Sequence, residues 1–253
     1  MRISVTIITL NEERNIARCI DSVLSFADEI IVMDAGSNDN TVNLCKARGV
    51  TVVFQPWLGY GAQKNKVNAL ATSEMILSLD ADEAVTESLK KSLLEIKQQG
   101  KLGYYSMNRL TNYCGQWIYH SGWNPDIKLR LFPKETQWSN DIVHEEIILP
   151  EGHEVIQLAG NLSHYSYYSR EEHLARANAY SILTAKKYHQ QGRACSFYTP
   201  WTAYLGRFVK MYILKMGFLD GINGWHIARI SATSNHFKYS ELRRLNKKSR
   251  SNE

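Results

Sequence analysis

Three carboxylates within four positions stand at the end of an apolar run, Met75-Ile-Leu-Ser-Leu-Asp80-Ala81-Asp82-Glu83. Carboxylates at i and i+2 repel, so a cation beside them would relieve the site. A hard divalent metal carrying a phosphorylated ligand fits well, because magnesium-type ions take one or two carboxylates plus phosphate oxygens. In an open α/β sheet, ligands gather where the carboxyl ends of the strands emerge, which is where this run ends. A strand closing in a solvated turn that caps the next helix accounts for the tripeptide equally well, and Glu83 reads as such a helix-start residue. A second cluster lies downstream in Trp138-Ser-Asn-Asp141-Ile-Val-His144-Glu145-Glu146. Residues 147 and 148 are both Ile, so it lacks the second histidine of the H-E-x-x-H zinc pattern and implies no protease.

The elements that must position these groups follow from periodicity. Ile3 to Leu10 is a near-continuous run rich in β-branched residues, as expected of a strand buried on both faces of a parallel sheet. Asn11 is expected to cap a helix whose apolar positions Ile16, Cys19, Ile20, Val23 and Leu24 keep a 3.6-residue period. Strand, polar turn and helix repeat over Glu29–Met33 and Thr41–Arg48, with Gly49 as the stop, and Asp39 and Thr41 read as caps. A strand at Thr51–Phe54, a helix from Ala62 to Ala71 and the strand at Met75 continue the alternation. The next helix starts near Thr86, turns Leu89, Leu93 and Ile96 to one face and ends at Gly100. Alternation of this kind predicts an α/β domain, a mostly parallel sheet flanked by helices. Gly103–Arg109 and Asp126–Phe132 are further strands. Between them, Trp117 and Trp123 in a loop-rich stretch suit the apolar faces of a sugar, with a place in the core as the alternative. A capping box at Ser169-Arg-Glu-Glu172 opens a helix to about Gln191, and Thr199-Pro200 opens another.

The segments Val5-Thr-Ile-Ile-Thr9-Leu-Asn11-Glu12, Ile30-Ile-Val-Met-Asp34-Ala-Gly36-Ser37-Asn-Asp39-Asn-Thr41 and Asp80-Ala-Asp82, in this order, resemble the nucleotide-sugar domain of family 2 glycosyltransferases, which have the Rossmann-like GT-A fold. The likeness covers the first 85 residues closely and continues more weakly to about residue 150. Gly217-Phe-Leu-Asp-Gly221-Ile-Asn-Gly224 and the basic tail resemble a narrower group, the bacterial lipopolysaccharide inner-core β-1,4-glucosyltransferases.

This resemblance implies contacts from Thr9, Asn11 and Glu12 to uracil and ribose, with Asp34 accepting the uracil imide proton. The turn and N-cap reading of Asp34 also stands. Lys64 is implied to reach the diphosphate, Asp80 to bind the ribose side, and Asp82 to hold Mn2+ or Mg2+ bridging the phosphates. Arg130 either stabilises phosphate or holds a carboxylate. An inverting transfer requires a base on a segment separate from the metal site. The family's Val-His-Glu segment points to Glu145, with Asp141 as runner-up; His144 is a metal ligand, an acceptor contact or a core histidine.

Composition agrees with one soluble domain and a helical appendage: 253 residues, 44% hydrophobic and 22% charged. Domains are expected at 1–165, the GT-A nucleotide-sugar and catalytic part, and at 166–253, a C-terminal helical extension. Cys19, Cys45, Cys114 and Cys195 are far apart and read as free thiols. Residues 193–253 carry 11 Lys or Arg against 3 Asp or Glu, a balance of +8, so with a net charge of +5 the first 192 residues carry −3. These cations accompany an aromatic, apolar segment, which favours an anionic membrane surface over nucleic acid. Arg207, Lys210 and Lys215 interrupt the apolar run, so it falls short of a spanning helix. With no signal-peptide pattern at Met1-Arg-Ile-Ser, the expected location is the cytoplasm, peripheral on the cytoplasmic face of the inner membrane.

The expected activity is therefore metal-dependent inverting transfer from a UDP-sugar donor, glucose in the narrower group, to a heptose of the lipopolysaccharide core. Another polysaccharide or lipid-linked saccharide acceptor is the alternative. A sugar nucleotidyltransferase would want a glycine-rich loop after the first strand, and Thr9-Leu-Asn-Glu-Glu13 has no glycine. A nucleotide-sugar-binding module without catalysis would place Glu145 far from the sugar.

Overall fold

The computed structural model describes residues 1–139 and 146–250. In chain order the elements are β1 (Ile3–Thr9), α1 (Ile16–Val23), β2 (Glu29–Asp34), α2 (Thr41–Lys46), β3 (Thr51–Phe54), α3 (Tyr60–Leu70), β4 (Met75–Asp80), β5 (Glu83–Val85), α4 (Glu87–Gln99), β6 (Tyr104–Tyr113), β7 (Gln116–Trp117), β8 (Ile127–Pro133), β9 (Val155–Tyr167), α5 (Arg170–Gln190), α6 (Thr199–Phe208) and α7 (Gly221–Arg250). A π-helical turn at Val209–Leu214 and a 3-10 turn at Gly217–Asp220 join the last two helices.

The chain forms two compact units. The first comprises 1–110 and 126–165; the second comprises 111–125 and 166–253, so the short stretch around β7 clusters with the C-terminal helices. Strand order is β3-β2-β1-β4-β8-β6-β9-β5, with β7 on β6. β3, β2, β1 and β4 pair in parallel, whereas the β4–β8, β6–β8 and β5–β9 pairs are antiparallel.

The parallel half is built as its apolar runs require. All seven β1 residues are buried, because both faces of that strand are covered. On one side, Ile16, Cys19, Ile20 and Val23 of α1 and Leu89 and Leu93 of α4 pack against Ile3, Val5 and Ile7. On the other, Val67 of α3 joins Ile8, Met33, Ile76 and Phe132. Thr86 caps α4 by accepting the Leu89 amide at 3.3 Å, and Gly100 closes it at φ +64°.

Two local expectations need correction. Asn11 caps no helix: α1 begins at Ile16, with Asn15 at its N-cap position, after a turn in which the Glu12 carbonyl accepts the Asn15 and Ile16 amides. Glu83 starts no helix either; it opens β5, its side chain fully buried, and the cap of α4 is Thr86.

In the second unit the expected capping box is present, Ser169 Oγ accepting the Glu172 amide at 3.1 Å. α5 and α7 are tied by the Ser181 hydroxyl donating to the Ser234 carbonyl at 2.9 Å and by a 2.7 Å His189–Asn246 bond. A separate apolar core holds Tyr113, Ile118, Met211, Ile227 and Ala228. Trp123 packs there too, edge-on to Tyr113 and within 5.5 Å of the His173 ring centroid, so the core alternative holds for it. The Gly217–Gly224 motif is scaffold. A Cβ on Gly224 would stand 1.8 Å from the Gly217 carbonyl oxygen, and one on Gly217 2.7 Å from that of Met211.

Candidate active site

Parallel pairing sets Thr9 opposite Asp34 and Ile8 opposite Asp80, so the carboxyl ends of β1, β2 and β4 meet along one edge. The two loops leaving β1 and β2 are laced together. The Asn11 amide donates to Ser37 Oγ at 2.8 Å, Asn11 Oδ1 accepts the Asn38 amide at 2.9 Å, and the Glu12 amide donates to Thr41 Oγ1 at 2.8 Å. Asn11 sits at φ +55°, a left-handed conformation that asparagine tolerates well. Asp39 accepts the Thr41 and Glu13 amides at 3.0 and 3.1 Å, but the N-cap position of α2 is Asn40 and Thr41 is its first residue, so neither Asp39 nor Thr41 is the cap.

Asp34 is buried, and its carboxylate accepts the Gly36 and Ser37 amides, each at 2.9 Å, as well as the Ser37 hydroxyl. The turn reading of this residue is thus observed. Thr9 Oγ1 is buried with no hydrogen-bond partner among the described residues. An unpaired buried hydroxyl is costly, which marks this end of the sheet as a place where a polar ligand could be satisfied.

The three carboxylates after β4 have separate fates. Asp80 is clamped: Lys64 Nζ lies 3.0 Å from Oδ1 and Arg130 Nη2 2.6 Å from Oδ2. Burial opposes ionisation of Asp80, but Arg130 and Lys64 outweigh it and hold the carboxyl well below its usual range. Burial likewise works against the Arg130 charge, and Asp80 and Glu83 together raise its pKa above the ordinary guanidinium value. Glu83 accepts from both Arg130 and Arg109, and its second oxygen takes the Asp80 amide at 3.0 Å. Arg109 is anchored in turn to Asp126 at 2.8 Å. Lys64 is a buried cation, 1% exposed, with its ammonium 4.4 Å from the Trp138 ring centroid. Asn65 pins Trp138 to α3 through two backbone bonds, 2.8 and 2.9 Å.

Asp82 is only partly buried and lies 3.3 Å from His164 Nε2, brought there by the pairing of β5 with β9. Carboxylate oxygen and imidazole nitrogen are both ligands for Mn2+-type ions. Among the described residues no three His, Cys, Asp or Glu side chains cluster, so a metal on Asp82 and His164 would depend on ligand oxygens to complete its shell. That donor pair suits a cation delivered with a diphosphate.

Asp141, His144 and Glu145 lie outside the described residues. The arms on either side of that segment are placed. The Ser139 amide donates to the Glu146 carbonyl at 2.8 Å, and Trp138 bridges Ile147. Trp138, Glu146 and Ile147 line a cavity of about 420 Å³ together with Asp80, Arg109 and Arg130. Sequence reasoning missed Glu83, Arg109 and His164 as members of this constellation. The signal for Glu83 was the Ala84-Val85 pair that follows it, a strand leading to a true cap at Thr86; His164 had none, because β9 carries no clean alternation.

The glycosyl transferase family 2 profile matches residues 4–149. A protein of Rickettsia typhi named as an uncharacterized glycosyltransferase is 31% identical over 98% of this chain and 89% of its own length. The lipopolysaccharide core biosynthesis glycosyltransferase LpsC of Rhizobium meliloti is 26% identical over 87% of this chain and 82% of its own. Among solved structures, glucosyl-3-phosphoglycerate synthase from Mycobacterium tuberculosis, in complex with Mn2+, UDP and glucosyl-3-phosphoglycerate, is 26% identical over 44% of each chain at a TM-score of 0.37, too partial a match to carry an assignment. With the profile spanning more than half of the chain and the Rickettsia relative nearly all of it, the chain belongs to glycosyl transferase family 2.

Proposed function

We propose that the chain transfers a hexose from a UDP-sugar to a sugar hydroxyl of a lipid-linked saccharide of the lipopolysaccharide-core type, with inversion at the anomeric carbon. In its most specific form this is glucose from UDP-glucose onto a heptose in β-1,4 linkage. The observation that carries the reading is the division of labour after β4: Asp80 locked between Lys64 and Arg130, and Asp82 only partly buried beside His164. The printed name of LpsC supports the class of acceptor.

Thr9, Asn11 and Glu12 would meet uracil and ribose, the Thr9 hydroxyl gaining the partner it lacks. Asp34 would accept the uracil imide proton; Oδ2 already takes both loop amides, but Oδ1, which accepts only the Ser37 hydroxyl, has a second lone pair. Asp80, held rigidly by two cations, would receive a ribose hydroxyl without reorganising. Arg130 and Lys64 act chiefly as its clamp. Asp82 and His164 would hold Mn2+ or Mg2+, which when bound supplies charge compensation for the departing UDP. The acceptor hydroxyl attacks the anomeric carbon from the face opposite UDP, and its proton passes to Glu145, with Asp141 the second candidate. Both belong to the segment whose flanking arms line the Asp80 cavity.

The test is a panel of UDP-sugars against heptose-bearing acceptors, with the product linkage read by NMR. A β-1,4 glucoside is the expected product, and absence of transfer from every UDP-sugar would refute the reading. Glu145→Ala should abolish turnover while UDP binding persists; retained turnover would pass the role to Asp141.

A further inference from the structure

The end of the α6–α7 hairpin presents apolar side chains to solvent where a protein of this size would ordinarily bury them. Ile213, Leu214, Met216, Phe218, Leu219 and Ile222 surround the junction and are all exposed, Leu214 by 70%, Ile222 by 63% and Leu219 by 57%. They do not scatter. Tyr212 contacts both Phe218 and Trp225 edge-on, and Trp225 meets Phe208 at 5.1 Å between centroids, so an aromatic wall backs the tip. Along α6 the exposed Trp201 and Leu205 and the following Val209 recur every four residues, and the π-helical turn carries that stripe on to Ile213.

Charge around this patch has one sign. Between residues 199 and 230 the lysines and arginines are Arg207, Lys210, Lys215 and Arg229, all exposed, with the half-buried His226 beside Arg229, and none of the four has an ion-pair partner among the described residues. The single carboxylate of that stretch, Asp220, is buried and fully engaged. A self-associating patch would set these cations against their own copies with no acidic residue between them, which is unfavourable. An anionic bilayer satisfies both features, since it accepts apolar tips below the headgroups and attracts lysines and arginines at their level. No helix among the described residues is long and apolar enough to cross a membrane, so the geometry suits a surface contact.

We propose that the 209–222 tip is a membrane-docking element that inserts Ile213, Leu214, Leu219 and Ile222 into the headgroup–acyl boundary of an anionic bilayer, with Lys210 and Lys215 at the phosphate level. This narrows the contact from the basic 193–253 segment as a whole to a surface that combines charge with exposed apolar area. The inference stands apart from the transfer chemistry.

The test is co-sedimentation of the full chain with vesicles of phosphatidylcholine alone or mixed with phosphatidylglycerol. Binding is expected on the mixed vesicles, weak on the neutral ones, and reduced by salt. Leu214→Glu with Leu219→Glu should lower partitioning roughly tenfold or more, the loss expected for two side chains that leave an apolar phase. Lys210→Glu with Lys215→Glu, both on exposed side chains and so independent of folding, should bring binding on mixed vesicles down to the neutral-vesicle level. Failure of the wild-type chain to sediment with mixed vesicles would overturn the proposal. So would wild-type binding by either double variant, or a concentration-dependent dimer that Leu214→Glu dissociates in a chain that never binds lipid.

Discussion

Asp80 and Asp220 both sit in motifs, both are held in place by several partners, and they do different work. Asp80 is held by side chains, Lys64 at 3.0 Å and Arg130 at 2.6 Å, which are themselves charged and in contact with further groups. Asp220 is held by the frame of the chain: it accepts the Tyr119 and His120 amides at 3.0 and 3.1 Å and the Ser121 hydroxyl at 2.8 Å. The first arrangement fixes a charge at the end of a sheet beside Asp82, which remains partly exposed. The second closes a turn, and nothing remains for a ligand. A motif carboxylate is therefore assigned by what surrounds it rather than by the motif.

Breaking that contrast should be easiest at Asp220. Asp220→Ala would leave two buried amides and a hydroxyl unpartnered and should destabilise the chain by about 3–5 kcal/mol. Thermal unfolding would measure this; a fall of under about 1 kcal/mol would mean that the carboxylate is not the staple described. Asp82→Ala should act the other way, lowering turnover by about 10²–10³-fold, the scale seen when one preorganised electrostatic contact is removed. Its melting temperature should stay within a degree or two of wild type, because Asp82 is not enclosed. A large loss of stability would make Asp82 a structural residue like Asp220.

Acid sharpens the comparison further. His173 is buried against Tyr113, Trp123 and Tyr167, and burial pushes its pKa down to about 4. Its unfolded value lies near 6.5. The unfolded chain therefore binds the proton first as pH falls. Stability is flat in this group above about pH 6.5 and declines between there and about pH 4, by roughly 3 kcal/mol in total. His173→Phe should remove that slope, and an unchanged slope would place the acid sensitivity elsewhere. The smallest effect is expected at Arg109→Lys. A point charge replaces the fork that bonds Asp126 and reaches Glu83, which should cost about 1 kcal/mol and leave Asp80 clamped.

Much of the first unit was legible because physics writes it directly into composition. β1, β2 and β4 are continuous apolar runs that end in polar turns, and α1 and α4 carry a clear 3.6 period. β9 was not legible. Its 13 residues mix exposed, half-buried and buried positions, and they include Gln157, Asn161, Ser163 and His164. The imidazole beside Asp82 went unseen for the same reason. Lys64, which the resemblance pointed at a diphosphate, is buried beneath Trp138 and paired with Asp80, long-range contacts that local sequence cannot encode. In the second unit the glycines of 217–224 read as family signature. Their physical content, backbone passing so close that no Cβ fits, emerges only when α7 lies against the turn.

One measurement bears most directly on Asp82 as the metal-bearing residue of a UDP site: titration calorimetry of UDP into the wild-type chain and Asp82→Ala, with and without Mn2+. Wild type should bind UDP much more tightly with Mn2+ than without it, and Asp82→Ala should lose that difference. Binding that is indifferent to the cation and equal in the two proteins would contradict the assignment.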